Sequence, residues 1–352
     1  MTNTVTTTGS IAAQLGGKAR GARLARVEAS PQFSGGKFRN NVPTSTGISL
    51  SAIPRVAAEV FTGGDARRPH QPVPLVAGIA GDARGLHVTW FGHSSAMIEI
   101  EGHRVLLDPV WSERCSPSRL AGPRRLHEPP IALGDLPRVD VVVISHDHYD
   151  HLDMATVRYL SEHQDAMFVV PLGIGAHLER WGVPEDRITE LDWNESTRVG
   201  ELELVATPAR HFSGRGFSRD ETLWASWVIN GPTRKAFYSG DTGYFPGFAE
   251  IGAEHGPFDV TLVQVGAYGQ DWSDIHMKPE DGVATHLDVR GGLMIPVHWA
   301  TFDLAPHRWA EPAERTWREA KARDVRLAIP KPGERIDVDC PPEIDAWWQQ
   351  VA

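Results

Sequence analysis

The 352 residues, 41% hydrophobic and 23% charged, suffice for one large domain or two ordinary ones with a sizeable core. A net charge of -10 excludes broad nucleic-acid binding, which needs a basic surface to displace counterions from phosphates. The chain has neither a run of about eighteen apolar residues nor a short apolar leader with a small-residue cleavage site, so a cytoplasmic protein is expected.

Residues 1–85 are rich in Gly, Ser, Thr, Ala and Pro and show little periodicity, which predicts an irregular N-terminal extension ahead of a domain over 86–352. The first forty residues carry Lys18, Arg20, Arg23, Arg26, Lys37 and Arg39 against Glu28 alone. This composition predicts a disordered or loosely docked arm. The alternative is peripheral contact with an anionic inner-membrane surface through these cations and Leu15, Leu24 and Val27.

From Leu86 the texture changes, and strands are predicted over 87–91, 96–101 and 104–107, with Glu101-Gly102 as the turn between the last two. Cys115 and Cys340 stand far apart and outside any C-x-x-C spacing, so free thiols are expected. A recurrent pattern follows. An apolar strand over 139–144 ends at His146, one over 202–206 ends near His211, one over 236–239 precedes Asp241, and one over 293–297 precedes His298. Open α/β sheets place their sites at the carboxyl ends of strands. Helices are predicted over 154–162, 175–181, 279–287 and 312–323, the third with Pro279 at its first position. Strands alternating with helices predict a layered α/β domain, and no short repeat suggests a solenoid or propeller.

His146, His148, Asp150 and His151 form a His-x-His-x-Asp-His cluster directly after the first of those strands. Extended backbone sends residues i and i+2 to one side, so His146 and His148 can grip one ion while the following turn presents Asp150 and His151 to a second. Chance would produce this pattern about twice in a thousand chains of this composition, so the cluster predicts a metal centre. His211, Asp241 and His298 are individually weaker. They could be a surface-loop histidine, a turn aspartate and a core histidine; their shared place after apolar strands recommends them as ligands.

Residues 88–305 resemble the metallo-β-lactamase superfamily, in its branch of N-acyl-phosphatidylethanolamine-hydrolysing phospholipase D and bacterial relatives. The resemblance rests on Val88-Thr-Trp-Phe-Gly-His-Ser, Leu107-Asp-Pro-Val, Ser116-Pro-Ser, Gly122-Pro-Arg-Arg, Ile144-Ser-His-Asp-His-Tyr-Asp-His-Leu-Asp153, Glu190-Leu-Asp-Trp193, Ser239-Gly-Asp-Thr-Gly-Tyr244, Gly266-Ala-Tyr268 and Val297-His-Trp-Ala-Thr-Phe302, among other segments. It implies a four-layer αβ/βα sandwich with two divalent metal ions, zinc in the first instance and iron or manganese as options. His146, His148 and His211 would hold one ion, Asp150, His151 and His298 the other, and Asp241 would bridge them. Asp108 would orient a ligand imidazole, and His276 would lie near the scissile group, with a polar loop residue as its alternative reading.

A hydroxide held between two such ions is available near neutral pH, so phosphodiester hydrolysis is expected, with Asp150 and His276 as catalytic residues. A phospholipid substrate would need an apolar groove, for which Trp224, Trp227, Phe217, Phe245 and Trp272 are candidates, with core packing as their alternative. The segment from Phe212 to Arg219 could form a rim that meets an anionic headgroup. Hydrolysis of a lactone or β-lactam on the same metals, or a non-catalytic metal-binding regulatory role, are the alternatives. Redox chemistry with a flavin partner lacks the Gly-x-Gly-x-x-Gly fingerprint. A small-molecule substrate is an equal expectation, and a homodimer is one option for the assembly.

Overall fold

The computed structural model describes residues 3–5, 9–47, 54–55, 64–78, 81–216 and 218–352. The extension departs from the expectation of an irregular, loosely docked arm. It carries helices α1 (Ile11–Gln14) and α2 (Gly21–Ala29) and a small hairpin of β1 (Phe33–Ser34) and β2 (Lys37–Phe38). Val27 and Phe38 enter the main core. Arg23 pairs with Glu179 and, at 2.5 Å, with Glu190, while Arg26 pairs with Glu195. Its cations therefore hold the extension to the domain. Composition missed this because the partners lie more than a hundred residues away in sequence.

The domain begins with the meander β3 (Leu86–Gly92), β4 (Ser95–Ile100) and β5 (His103–Leu107). Glu101 at φ 49° and Gly102 at φ 97° make the two-residue turn, whose positive dihedrals match the twist of the flanking strands. The chain then adds β6 (Val141–Val143), α3 (Met154–His163), β7 (Met167–Pro171), α4 (Gly175–Arg180) and β8 (Ile188–Leu191), the strands parallel from β5 onward. Period-two burial divides the residues. Val141, Val143 and Val169 face the inter-sheet core, whereas Val142, Ile144, Phe168 and Val170 pack with Met154, Val157 and Leu160 of α3. Each such buried side chain contributes about 1.5–3 kcal/mol.

The second sheet contains β9 (Ser196–Val199), β10 (Leu202–Thr207), β11 (Ser226–Asn230), β12 (Lys235–Tyr238), β13 (Phe258–Gln264) and β14 (Gly291–Val297), in the order β14-β13-β12-β11-β10-β9. Helices α5 (Gly247–Glu254) and α6 (Pro279–Asp288) connect its parallel strands, and α7 (Glu311–Ala322) packs on α6. Strand β15 (Arg335–Asp337) returns to pair with β3, giving a seven-stranded first sheet ordered β15-β3-β4-β5-β6-β7-β8. Helix α8 (Trp347–Val351) ends the chain, burying Trp347 and Trp348 beside Trp299. Helices, sheet, sheet, helices is the four-layer αβ/βα sandwich that the resemblance implied. No helix among the described residues is long and apolar enough to cross a membrane.

Two histidines away from the candidate centre make the fold sensitive to acid. Burial pushes His286, on Thr261 Oγ1 at 2.7 Å, down to about 4, and pushes His127 down to about 3. Both titrate near 6.5 when unfolded, so the unfolded chain binds more protons between that value and the folded one. Their contribution is complete above pH 6.5 and is lost as pH falls towards 4, at about 1.4 kcal/mol per unit and per group. The denaturant midpoint of the metal-free protein is expected to drop between pH 7 and pH 5, with His286→Gln flattening the slope.

Candidate metal centre

Strands β5, β6, β10, β12 and β14 all end at one edge of the sandwich, and the segments that follow them bring Asp108, the cluster from His146 to His151, His211, Asp241 and His298 together. His146, His148 and His211 form one group and Asp150, His151 and His298 another, each with donor atoms within 4.8 Å of one another. Asp241 lies between them. Its Oδ2 is 3.1 Å from His151 Nε2, 2.9 Å from His298 Nε2, and 3.9 Å from the Nε2 atoms of both His146 and His211. Thus all seven candidate ligands converge.

Hydrogen bonds on the far sides of the rings set which nitrogen faces the centre. Asp108 Oδ2 accepts from His151 Nδ1 at 2.6 Å and from the hydroxyls of Ser145 and Tyr238 at 2.5 Å each, while Oδ1 accepts from Ser145 N at 2.7 Å. His151 Nε2 is thereby turned inward. His211 Nδ1 meets the Ile275 carbonyl at 2.9 Å, which likewise leaves Nε2 for the centre. His298 takes a left-handed backbone at φ 67°, held by its N–H on the His93 carbonyl at 2.8 Å. The neighbouring strand can approach because residue 266 is glycine; a Cβ there would lie 1.9 Å from the His298 carbonyl oxygen.

The residues fit divalent ions by donor chemistry. Asp241 Oδ1 is buried without a hydrogen-bond partner, and His151 Nε2 and His298 Nε2, also buried, meet only the Asp150 and Asp241 carboxylates without well-aligned hydrogen bonds, an expensive arrangement unless a cation completes it. Burial holds His146 and His211 well below the usual imidazole range, and His148 below it, so these three are neutral ligands at pH 7. Burial acts on His151 and His298 too, but the surrounding carboxylates, Asp241 foremost, together outweigh it and raise both. Burial would raise Asp150 and Asp241; the surrounding imidazoles, His151 foremost, together override it and hold both carboxyls well below their ordinary range. Divalent cations bound there would compete with protons for the same donor atoms.

His276 stands at the mouth, 14% exposed, with Nδ1 3.9 Å from Asp241 Oδ2. Burial pushes it down to about 4, so it is neutral at pH 7. Its ring lies 5.2 Å from those of His211 and His298, in the wall of a groove of about 590 Å³ that opens on the centre. Phe212, Trp272, Ile275, Leu304 and Pro306 line that groove. The aromatic expectation is corrected here: Trp224, Trp227 and Phe245 are buried core residues, and only Trp272 of that set is a lining residue, while Phe217 lies outside the described residues. At the rim, Arg219 lies over Phe212, 4.1 Å from the ring centre, and donates to the Thr46 carbonyl.

Two further residues of the site have no role assigned to them in the sequence. His93 follows β3 and its Nε2 lies 2.9 Å from Asp150 Oδ2, with its ring 4.0 Å from that of His298. Asn40, from the extension, grips the His211 backbone from both sides: Nδ2 donates to the His211 carbonyl at 2.8 Å and Oδ1 accepts from the His211 N–H at 3.0 Å. His93 carried the same signal as the others, an apolar strand ending in a histidine. Asn40 carried none.

Comparison with known proteins agrees with this architecture. A β-lactamase superfamily domain matches residues 103–299. An uncharacterised Mycobacterium tuberculosis protein is 53% identical over 328 residues, covering 92% of this chain and 88% of its own. The Caenorhabditis elegans N-acyl-phosphatidylethanolamine-hydrolysing phospholipase D 1 is 35% identical over 253 residues, covering 68% of this chain and 71% of its own. Among solved structures, Igni18, a metallo hydrolase from Ignicoccus hospitalis, superimposes with a TM-score of 0.55 at 23% identity, over 71% of this chain and 97% of its own, which is a likeness of fold. With the domain match, the sandwich and the seven converging ligands in agreement, the chain belongs to the metallo-β-lactamase superfamily of metal-dependent hydrolases.

Proposed function

We propose that the protein is a dinuclear phosphodiesterase that cleaves N-acyl-ethanolamine phospholipids at the phosphorus–oxygen bond to the N-acylethanolamine, releasing phosphatidic acid and the free N-acylethanolamine. One observation carries the reading: the cluster of seven candidate ligands reaches, through His148, Asp150 and Asp241, a groove also lined by Phe212, Trp272, Ile275, Leu304 and Pro306, so a charged phosphodiester and an apolar chain can be held together. The worm enzyme, similar over two thirds of this chain, supports the choice of lipid.

Two divalent ions, zinc in the first instance, held by His146, His148 and His211, by Asp150, His151 and His298, and by Asp241 between them, would supply Lewis acidity and an activated water. The chain's own residues do the rest. Asp108 and the Ile275 carbonyl orient imidazoles, Asp150 is fixed by His93, and Phe212 and Trp272 keep bulk water from the floor. His276, neutral at pH 7, can donate a hydrogen bond to a phosphoryl or leaving-group oxygen.

The purified chain with added zinc, manganese or iron is expected to hydrolyse bis(4-nitrophenyl) phosphate, and to release phosphatidic acid from vesicles of N-acyl-phosphatidylethanolamine. Turnover of lactones or β-lactams without either phosphodiester would refute the assignment. Phosphodiester turnover without phosphatidic acid would refute the lipid alone.

A further inference from the structure

The groove is not built by the superfamily domain alone. Thr46, Gly47 and Arg67, all from the first 85 residues, line it together with His148, Asp241 and His276. Arg67 ends a single 3-10 turn (Gly64–Arg67), which the Trp309 N–H pins by donating to the Ala66 carbonyl at 2.9 Å. It is the one lysine or arginine among the described lining residues. Facing it is Asp303, with Oδ2 3.3 Å from Arg67 Nη2, the two side chains 17% and 15% exposed. The contact is single rather than the two-pronged arrangement that planar guanidinium and carboxylate favour, and Arg67 Nε is buried without a partner.

This pair is poorly suited to an anion, which one member would attract and the other repel. It suits a neutral group that has an acceptor and a donor side by side: a carbonyl oxygen for the unfilled N–H of Arg67 and an N–H for the Asp303 carboxylate. A secondary amide is such a group. We propose that Arg67 and Asp303 are a specificity element that reads a secondary amide in the substrate, at a distance from the phosphodiester over the metals. The inference rests on the phosphodiesterase reading and adds why an N-acyl substrate would be preferred over one without the amide.

The test compares N-acyl-phosphatidylethanolamine with its ester analogue, in which the amide –NH– is replaced by –O–, in the same micelles and with the full metal-loaded chain. Wild-type protein is expected to favour the amide in kcat/KM by about tenfold or more, as a hydrogen bond to a charged group allows. Asp303→Ala should bring that ratio near one. Arg67→Ala should act on the amide lipid mainly through a rise of about tenfold in KM, with Arg67→Lys recovering part of the loss. A wild-type ratio near one, or an Arg67→Ala protein that loses kcat with KM unmoved, would overturn the proposal while leaving the phosphodiesterase intact. Wild-type protein inactive on every phosphodiester would overturn both.

Discussion

Asp241→Ala is expected to lower phosphodiester hydrolysis by about a thousandfold or more, the largest loss of any single change in this protein. The reason lies in its position. Asp241 Oδ2 lies within 3.9 Å of a nitrogen on each of His146, His151, His211, His276 and His298, and it is the carboxylate common to both ligand groups. Without it, the two groups lose their shared anionic ligand and five imidazoles face one another across a buried space. In metal-free protein the same change removes the leading charge that raises His151 and His298, so that burial favours their neutral forms. Asp241→Asn separates shape from charge: it is expected to melt closer to wild type and yet remain nearly inactive. Steady-state rates and thermal melts of the two variants check this, and an Asp241→Asn protein with wild-type turnover would remove Asp241 from the centre.

Asp108→Ala carries the second-largest effect, although Asp108 faces away from the middle of the site. Its carboxylate accepts four hydrogen bonds, from the Ser145 backbone N–H and hydroxyl, His151 Nδ1 and the Tyr238 hydroxyl, and it is fully buried. Alanine leaves four donors unmet in the interior and frees the His151 ring to rotate. The expected results are destabilisation of about 3 kcal/mol or more and a metal affinity weakened about 10- to 100-fold at the His151 group. Asp108→Asn retains an oxygen acceptor and should fall between. Calorimetric metal titration beside chemical unfolding reads both quantities; wild-type affinity in Asp108→Ala would mean that the His151 ring is set by packing alone.

Much of this site is legible in the sequence because buried strands carry a local signal, a short apolar run, and deliver their candidate ligands shortly after it. His146, His211, Asp241 and His298 follow that rule, and so does His93, which a meander reading of β3 conceals. Direction is less legible than place. Trp227 stands in β11 close to the ligand segments in sequence, yet its ring faces the inter-sheet core and its Nε1 donates to the Ile144 carbonyl at 3.1 Å. Strand β9 left no apolar run to find, since its residues are half-buried or exposed. Least legible of all is the extension. Gly, Ser and Ala suggest an irregular arm, but Asn40 reaches His211 across 171 positions and Arg67 reaches the groove, contacts that only the folded chain brings about. Asn40, Thr46, Gly47 and Arg67 of the extension therefore border the site.

The metal content of the wild-type chain, purified without chelator and measured by inductively coupled plasma mass spectrometry, tests the central claim most directly. Two divalent ions per chain are predicted, both removed by a chelator together with activity and both restored with it. Fewer than one ion per chain, or hydrolysis that survives complete removal, would contradict a dinuclear centre.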